Sequence, residues 1–574
     1  MAHRVPDRRA FLAYFSSIGM GSTLLPGVLW ARVTAGAEIT PASIAAAAEV
    51  AGLTLDEDER EQMVQGLRRQ SASLEALHRI PIDNSVAPAL LFDPVPAGMR
   101  LPTGESQEIV RAPITVRSMA ADSDELAFAT VAELSELVRT RRVTSTQLTR
   151  MYLARLRRFD PVLQCVITLT EARALEQARV ADGEIAAGRY RGPLHGIPWG
   201  AKDLLAVRGY PTTWGAGPYR DQVIDHDATV VRRLDDAGAV LVAKLTLGEL
   251  AQGDHWFGGI TKNPWNVEQG SSGSSAGPAS ATAAGLVGFS IGSETLGSIS
   301  SPSTRCGATG LRPTFGRVPR TGAMALSWSM DKLGPICRGV EDCALVLDAI
   351  HGPDDQDLTC REVPFSWDGR APLSGIRVGY LKSAFDAPLT DPANPERTIH
   401  ATKPFDDQAL AALRGLGITL VPVELPDLEY GAMRIILTAE AAAAFDELTR
   451  SGRDDLLVQQ GNGDWANTFR TARFIPAADY INANRVRRRA LEAWAGLFEN
   501  IDVIVTPTGG SSQLVATNLT GHPAVILPHG FRDNGTPVSL TFLGRLFGES
   551  AMLRVAHAFE QATEWHTRHP VVPV

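Results

Sequence analysis

The chain has 574 residues, of which 44% are apolar and 21% charged, a globular composition that excludes disordered and collagen-like chains and allows more than one domain. Its 55 basic and 64 acidic residues give a net charge of −9, which argues against a nucleic-acid partner, because phosphate binding calls for a basic surface. Five cysteines are too few for a disulfide scaffold, so free and mostly buried thiols are expected; without a C-x-x-C pair or an H-E-x-x-H run, no metal is implied.

In chain order, Arg8-Arg9 precede a stretch from Ala10 to Ala31 that carries no charge. Its length would permit a membrane helix, but Ser16, Ser17, Gly19, Gly21, Pro26 and Gly27 make it a weak apolar run, and Ala35-Gly36-Ala37 reads as a small-residue cleavage site. Residues 1–37 therefore resemble a twin-arginine-type export signal. Cleavage predicts a periplasmic or secreted protein with no stable membrane span in its mature form, and a cytoplasmic one otherwise. An uncleaved anchor and an amphipathic helix are the plainer alternatives.

Pro41 to about Ile80 has helical spacing at Leu53, Leu55, Met63 and Leu67, which predicts a small helical hairpin. Residues 82–123 are rich in Pro, Gly and Ser and read as a linker or strap. Residues 38–122 are thus a helical extension and linker, ahead of a large domain at 123–574. A helix capped by Ser145 or Thr146 is expected to run through Leu148, Tyr152, Leu153 and Leu156 and to stop at Asp160-Pro161. Beyond it, runs such as Ala239–Ala243, Ile376–Tyr380, Ile418–Pro422, Val503–Val505 and Val538–Phe542 alternate with helical stretches, the pattern of an α/β sheet.

The most unusual segment is Gly270-Ser-Ser-Gly-Ser274-Ser275-Ala-Gly277, followed by Gly292-Ser-Glu294-Thr-Leu-Gly297-Ser298-Ile-Ser300. Composition alone makes a Gly/Ser tract a flexible linker. These tracts lie among apolar segments, where Gly and Ser let N–H groups approach a ligand and hydroxyls chain together. No G-x-x-x-x-G-K-[ST] loop is present. Gly288-Phe-Ser290-Ile-Gly292 matches a nucleophile elbow, but the Ser- and Gly-rich residues after it make a poor helix, so Ser290 reads as a buried strand residue. His522 and His529 each adjoin a proline in a predicted turn and are taken as structural. In Gly196-Ile-Pro-Trp-Gly-Ala-Lys202-Asp203 a lysine ends a short apolar strand, where desolvation lowers its pKa.

Together these segments resemble the amidase signature family. The lysine segment with Pro211-Thr-Thr, Asn263-Pro-Trp-Asn266, the Gly/Ser tracts, Gly310-Leu-Arg-Pro-Thr314, Asp331 to Pro335, Gly521-His-Pro-Ala-Val and Pro537-Val-Ser-Leu carry the likeness, from about Phe128 to Glu564. The resemblance implies an α/β fold with a large mixed central sheet flanked by helices, and a Ser-Ser-Lys triad without cofactor or metal. Ser298 falls on the nucleophile, Ser274 on the bridging serine 24 positions earlier, which follows a cis peptide in that family, and Lys202 on the base. Backbone N–H groups of Thr295, Leu296, Gly297 and Ser298 fall on the oxyanion loop, and Ser275, Glu294 and Asp331 on supporting positions.

Four residues depart from the family pattern: Glu294 replaces Asp, Leu296 a Gly, Ser300 an Arg and Arg312 a Lys. A backbone donor survives at Leu296 if its φ is negative, and Arg305 is the expected replacement for the charge missing at Ser300. The implied function is hydrolysis of carboxylic amides of small molecules through an acyl-enzyme, releasing a carboxylate and ammonia or an amine. A protein like the A-subunit of a tRNA-dependent amidotransferase is the alternative, since the early helices loosely resemble that component's small partner, although an export signal and an acidic surface speak against it. A catalytically inactive binding protein is the third reading, kept open by Leu296 and Ser300. A homodimer is among the assemblies allowed.

Overall fold

The computed structural model describes residues 38–50, 55–78, 83–86, 90–114 and 124–573. The export-signal segment, residues 1–37, lies outside them. The first described elements are the helices α1 (Pro41–Val50) and α2 (Glu57–His78), which close a small core of their own: Ile39 and Ile44 are buried against Leu55, Met63, Val64 and Leu67. Residues 90–114 have no helix and run over the main body, where Val95, Met99 and Leu101 pack on Val363, Leu546 and Phe547. Upstream, Asn84 Nδ2 donates to the Ala325 carbonyl at 2.9 Å and its Oδ1 accepts from Ala325 N at 2.7 Å.

Eleven strands form one mixed sheet: β1 (Val166–Leu169), β2 (Pro198–Lys202), β3 (Val240–Leu245), β4 (Phe289–Glu294), β5 (Thr309–Arg312), β6 (Lys332–Cys337), β7 (Val378–Leu381), β8 (Leu420–Val423), β9 (Val503–Pro507), β10 (Ala524–Phe531) and β11 (Pro537–Gly544). Their order is β1-β3-β2-β4-β6-β5-β10-β11-β9-β7-β8. The pairs β3-β2, β2-β4, β9-β7 and β7-β8 are parallel and the others antiparallel. Strands β2, β3, β4, β6 and β9 are buried throughout, which is why they read as continuous apolar or small-residue runs rather than as alternation.

Helix α3 (Ser145–Leu163) corrects the expected cap and end. Its N-cap is Thr144, in a capping box with Gln147, while Ser145 Oγ donates to the Gly196 carbonyl at 2.8 Å. The helix continues through Pro161 to Leu163, because a proline in the last turn removes a single backbone bond; Asp160 Oδ1 then accepts from Cys165 N at 2.8 Å and Val166 N at 2.9 Å and ties down the exit. Around the sheet, α4 (Ala276–Ala283) follows the Gly/Ser tract, α5 (Ser300–Cys306) follows Ser298, α6 (Ile435–Ala444) and α7 (Ala477–Leu497) lie beyond β8, and α8 (Gln513–Thr520) leads into β10. All five cysteines are free, and all but Cys360 are buried. Among the described residues no helix is long and apolar enough to cross a membrane.

Candidate active site

Lys202 ends β2, in register with Leu245 of β3, while the preceding Ala201 lies opposite Ile291 of β4. Its side chain is fully buried. Lys202 Nζ is hydrogen-bonded to Ser274 Oγ at 2.9 Å, Ser275 Oγ at 3.0 Å and Ser293 Oγ at 2.9 Å. Burial pushes its pKa well below the ordinary lysine value, and the more distant charges of Asp331 and Glu294 counter this only in part. The adjacent carboxylate is spoken for: Asp203 Oδ1 lies 2.6 Å from Lys244 Nζ, and Asp203 Oδ2 accepts from Thr213 N at 2.8 Å. Lys244 also donates to Thr212 Oγ1 at 2.7 Å. The Pro211-Thr-Thr motif therefore latches a buried ion pair directly behind Lys202.

Ser274 and Ser275 sit between the Gly/Ser tract and α4. The Gly273–Ser274 peptide bond is cis. A Cβ at Gly273 would come within 1.7 Å of the Gly253 carbonyl, so the backbone approach that places Ser274 needs glycine there. Ser275 Oγ donates to the Ser293 carbonyl at 3.1 Å and accepts from Ser293 N at 3.2 Å. Its N–H donates to the Ser298 carbonyl at 3.0 Å, which joins the serine pair to the second tract.

Ser298 lies in the turn between β4 and α5 and is 7% exposed. Its hydroxyl makes no hydrogen bond among the described residues. The N–H groups of Thr295, Leu296, Gly297 and Ser298 likewise meet no protein acceptor among them. Gly297 takes φ +94°, whereas Leu296 keeps a negative φ, so its side chain costs the loop no strain.

Two carboxylates brace this turn. Glu294 Oε2 accepts from Ile299 N at 2.9 Å, Ser300 N at 2.8 Å and Ser300 Oγ at 2.8 Å, while Oε1 accepts from Arg312 Nη1 at 2.7 Å and Asn518 Nδ2 at 2.8 Å. Burial works to raise its pKa, but the Arg312 guanidinium and these donors outweigh it and hold the carboxyl at about 2. Asp331 Oδ1 accepts from Thr295 Oγ1 at 2.6 Å, and Oδ2 from Leu326 N at 2.8 Å and Ser327 N at 2.9 Å.

Several expectations change in detail. The charge near Ser300 comes from Arg312, which is fully buried, and not from Arg305, which is exposed; nearness in sequence misled because α5 carries Arg305 away to the surface. Ser290 lies inside β4, its Oγ donating to the Pro278 carbonyl at 3.0 Å, so the elbow match is fortuitous. His522 follows α8 and contacts Thr520 Oγ1 at 2.8 Å. His529 lies within β10 instead of a turn; the register shift between Pro528 and Gly530 is the bulge that accommodates the proline. Sequence reasoning assigned no role to Ser293 or Lys244. Only the alternation of β4, which turns Ser293 and Ile291 to one face, could have pointed to Ser293.

The arrangement is a buried amine among hydroxyls, beside a loop of free N–H groups. The family model described as Amidase matches residues 147–514 of this chain. The chain belongs to the amidase signature family. It is accordingly an enzyme of amide C–N bonds. It is 37% identical to the A-subunit of the glutamyl-tRNA(Gln) amidotransferase of Methylococcus capsulatus over 488 residues, covering 77% of this chain and 98% of that protein. The corresponding protein of Moorella thermoacetica is 35% identical over 496 residues, covering 78% of this chain and all of the relative. Among solved structures, the native peptide amidase of Stenotrophomonas maltophilia superposes with a TM-score of 0.66 at 32% identity, covering 78% of this chain and 98% of its own. A chain of an inhibitor-bound vestigial protein complex, described as revealing the evolutionary origins of an s-triazine catabolic enzyme, gives 0.67 at 28%, covering 76% and 99%. The mixed eleven-stranded sheet is thus the amidase signature fold.

Proposed function

We propose that this amidase signature enzyme hydrolyses carboxylic amides through an acyl-enzyme on Ser298, with Lys202 as general base and Ser274 as proton bridge. The observation that carries this reading is the environment of Lys202: a fully buried amine within 3.0 Å of three hydroxyls, with its neighbouring carboxylate held by Lys244. A neutral amine has two N–H donors and one lone pair. Ser275 spends its own proton on the Ser293 carbonyl and so accepts from Lys202. With Ser293 accepting the second N–H, the lone pair faces the Ser274 hydroxyl. Ser298 attacks the carbonyl carbon as its proton passes to Ser274 and that of Ser274 to Lys202. The oxyanion is received by the N–H groups of Thr295, Leu296, Gly297 and Ser298, which have no other acceptor among the described residues. The relay then runs back to protonate the leaving amine, and water releases the carboxylate from Ser298. Glu294 and Asp331 act on the loop's shape, and Ser275 on the orientation of the amine.

The names of the relatives favour a second reading, the A-subunit of an amidotransferase. Hydrolysis of simple primary amides by the purified chain, lost in Ser298→Ala, supports the first reading. Activity that appears only with copurifying subunits supports the second, and a folded protein that never acylates is the inactive binding protein. We further propose export, with residues 1–37 removed and a periplasmic or secreted catalytic unit of residues 123–574 that keeps its 38–122 extension. Sequencing the mature N-terminus tests this, since an intact Met1 leaves the protein cytoplasmic or anchored. A homodimer would be read directly from mass in solution.

A further inference from the structure

A cavity of about 560 Å³ lies beside the Ser298 loop, with Ser272 and Ser300 on its wall. One wall is α5, with Ser300, Ser301, Thr304 and Arg305; the facing wall includes the 507–510 segment, Leu514 and Arg532. The cavity abuts the oxyanion loop itself, because a Cβ at Gly297 would stand 3.1 Å from Ser301 Oγ and 3.2 Å from Leu514 Cδ2. In a chain with more acidic than basic residues, no Asp or Glu among the described residues lines it. The Arg305 side chain makes no hydrogen bond or ion pair among the described residues, and that of Arg532 meets only the Pro537 carbonyl, at 2.7 Å.

The remaining titratable group on the wall is His400, and it is fully engaged, with Nδ1 at 3.0 Å from the Ala387 carbonyl and Nε2 at 2.7 Å from Asp406. Asp406 stands behind it, buried, with Oδ1 at 2.7 Å from His529 Nε2 and Oδ2 accepting from Thr402 Oγ1 at 2.7 Å, so both of its oxygens are engaged by hydrogen bonds. Burial, and then the charge of Arg305, lower the pKa of Arg532, as expected for two guanidiniums that share a recess without a counter-ion. Such a pair, beside several hydroxyls, suits a planar carboxylate, which guanidinium forks bind through paired hydrogen bonds.

We propose that this cavity receives a carboxylate carried by the amide substrate, with Arg305 and Arg532 as its specificity-determining residues. Arg305 lies five residues along α5 from Ser300, about 7–8 Å of helix rise, so the carboxylate is several bonds away from the scissile carbonyl. The proposal rests on the amidase reading of Ser298 and narrows it to acidic amides. The carboxylate could belong to the acyl part or to the amine part.

The test compares glutaramate with butyramide for the acyl side, and N-acetyl-β-alanine with N-ethylacetamide for the amine side. It also titrates glutarate calorimetrically into Ser298→Ala. One acidic substrate should exceed its neutral counterpart in kcat/KM by about tenfold or more, and the pair that does so identifies the side. That ratio should fall towards one in Arg305→Ala, which has no internal bond to lose, and in the Arg305→Ala/Arg532→Ala protein. Glutarate should bind saturably, and no longer do so when both arginines are replaced. Hydrolysis of neutral and acidic amides alike, with no saturable glutarate binding, overturns the acidic-substrate proposal and leaves the amidase reading standing. Arginine-dependent glutarate binding without hydrolysis of any amide supports the anion site and overturns the amidase reading.

Discussion

Lys244 Nζ stands 2.6 Å from Asp203 Oδ1, and both side chains are completely buried. This pairing removes from Lys202 the carboxylate that lies next to it in sequence. A lysine that must work as a base needs its neutral form to be accessible, and a counter-ion at hydrogen-bond distance would hold the proton on. Lys244→Met should therefore do two things. It should cost about 3–5 kcal/mol in urea unfolding, as expected when one partner of a buried pair is removed. It should also move the rising limb of the pH–rate profile upward, because the Asp203 charge is then uncompensated beside Lys202. In the parent enzyme that limb lies below the ordinary lysine value, since burial lowers the Lys202 pKa, and activity rises with pH as Lys202 loses its proton.

Ser275 and Ser293 both touch Lys202, yet they are not equivalent. Among the described residues Ser275 Oγ holds three partners, Lys202 Nζ, Ser293 N and the Ser293 carbonyl, whereas Ser293 Oγ holds Lys202 alone. Ser275→Ala should lower kcat by about 10²-fold or more and Ser293→Ala by about tenfold, with KM little changed in both. The order of the two effects is the test, and equal losses would contradict the assigned proton directions.

Glu294 closes the turn after Ser298 and depends on Arg312 for its charge. Arg312→Ala should lose about 3–5 kcal/mol of stability, while the double variant Glu294→Gln/Arg312→Met should lose less, since no buried charge is left unpaired. The held value of about 2 for Glu294 lies below that of an unfolded glutamate. Its stabilising contribution is therefore complete above about pH 4.5 and is lost as the pH falls towards 2.

Asp342 gives the opposite pH dependence. Burial raises its carboxyl to about 7, against the pull of the Val131 and Ala132 N–H groups. The folded protein then binds a proton that the unfolded chain has released, so stability falls as pH rises from about 4 to 7. Asp342→Asn should be more stable than the parent at pH 8 by about 1–3 kcal/mol, with the gap closing at pH 4. A pH-independent difference in thermal unfolding would contradict this.

The triad was assigned through the likeness of the Gly/Ser tracts and the lysine segment to the amidase signature family, and of its members the fold brings Lys202 Nζ to 2.9 Å from Ser274 Oγ. The strands around Val240, Val378, Leu420, Val503 and Val538 were legible as short apolar runs, and strand-by-helix alternation carried the fold class. The features that escaped depend on tertiary geometry. Ser293 looks like any polar residue of a strand until Ser275 and Lys202 close on it. Arg312 is 18 residues from Glu294, so its reach to that carboxylate was invisible beside the nearer Arg305. Thr144 displaced Ser145 as helix cap because Ser145 is drawn to the Gly196 carbonyl, a partner 51 residues away.

The central claim is that Ser298 is a nucleophile activated by Lys202, and intact mass after exposure to a fluorophosphonate probe tests it most directly. A single adduct on the parent, absent from Ser298→Ala and formed about 10²–10⁴ times more slowly by Lys202→Ala, is the predicted result. Labelling that survives Ser298→Ala, or a folded parent that takes up no probe, would contradict the account.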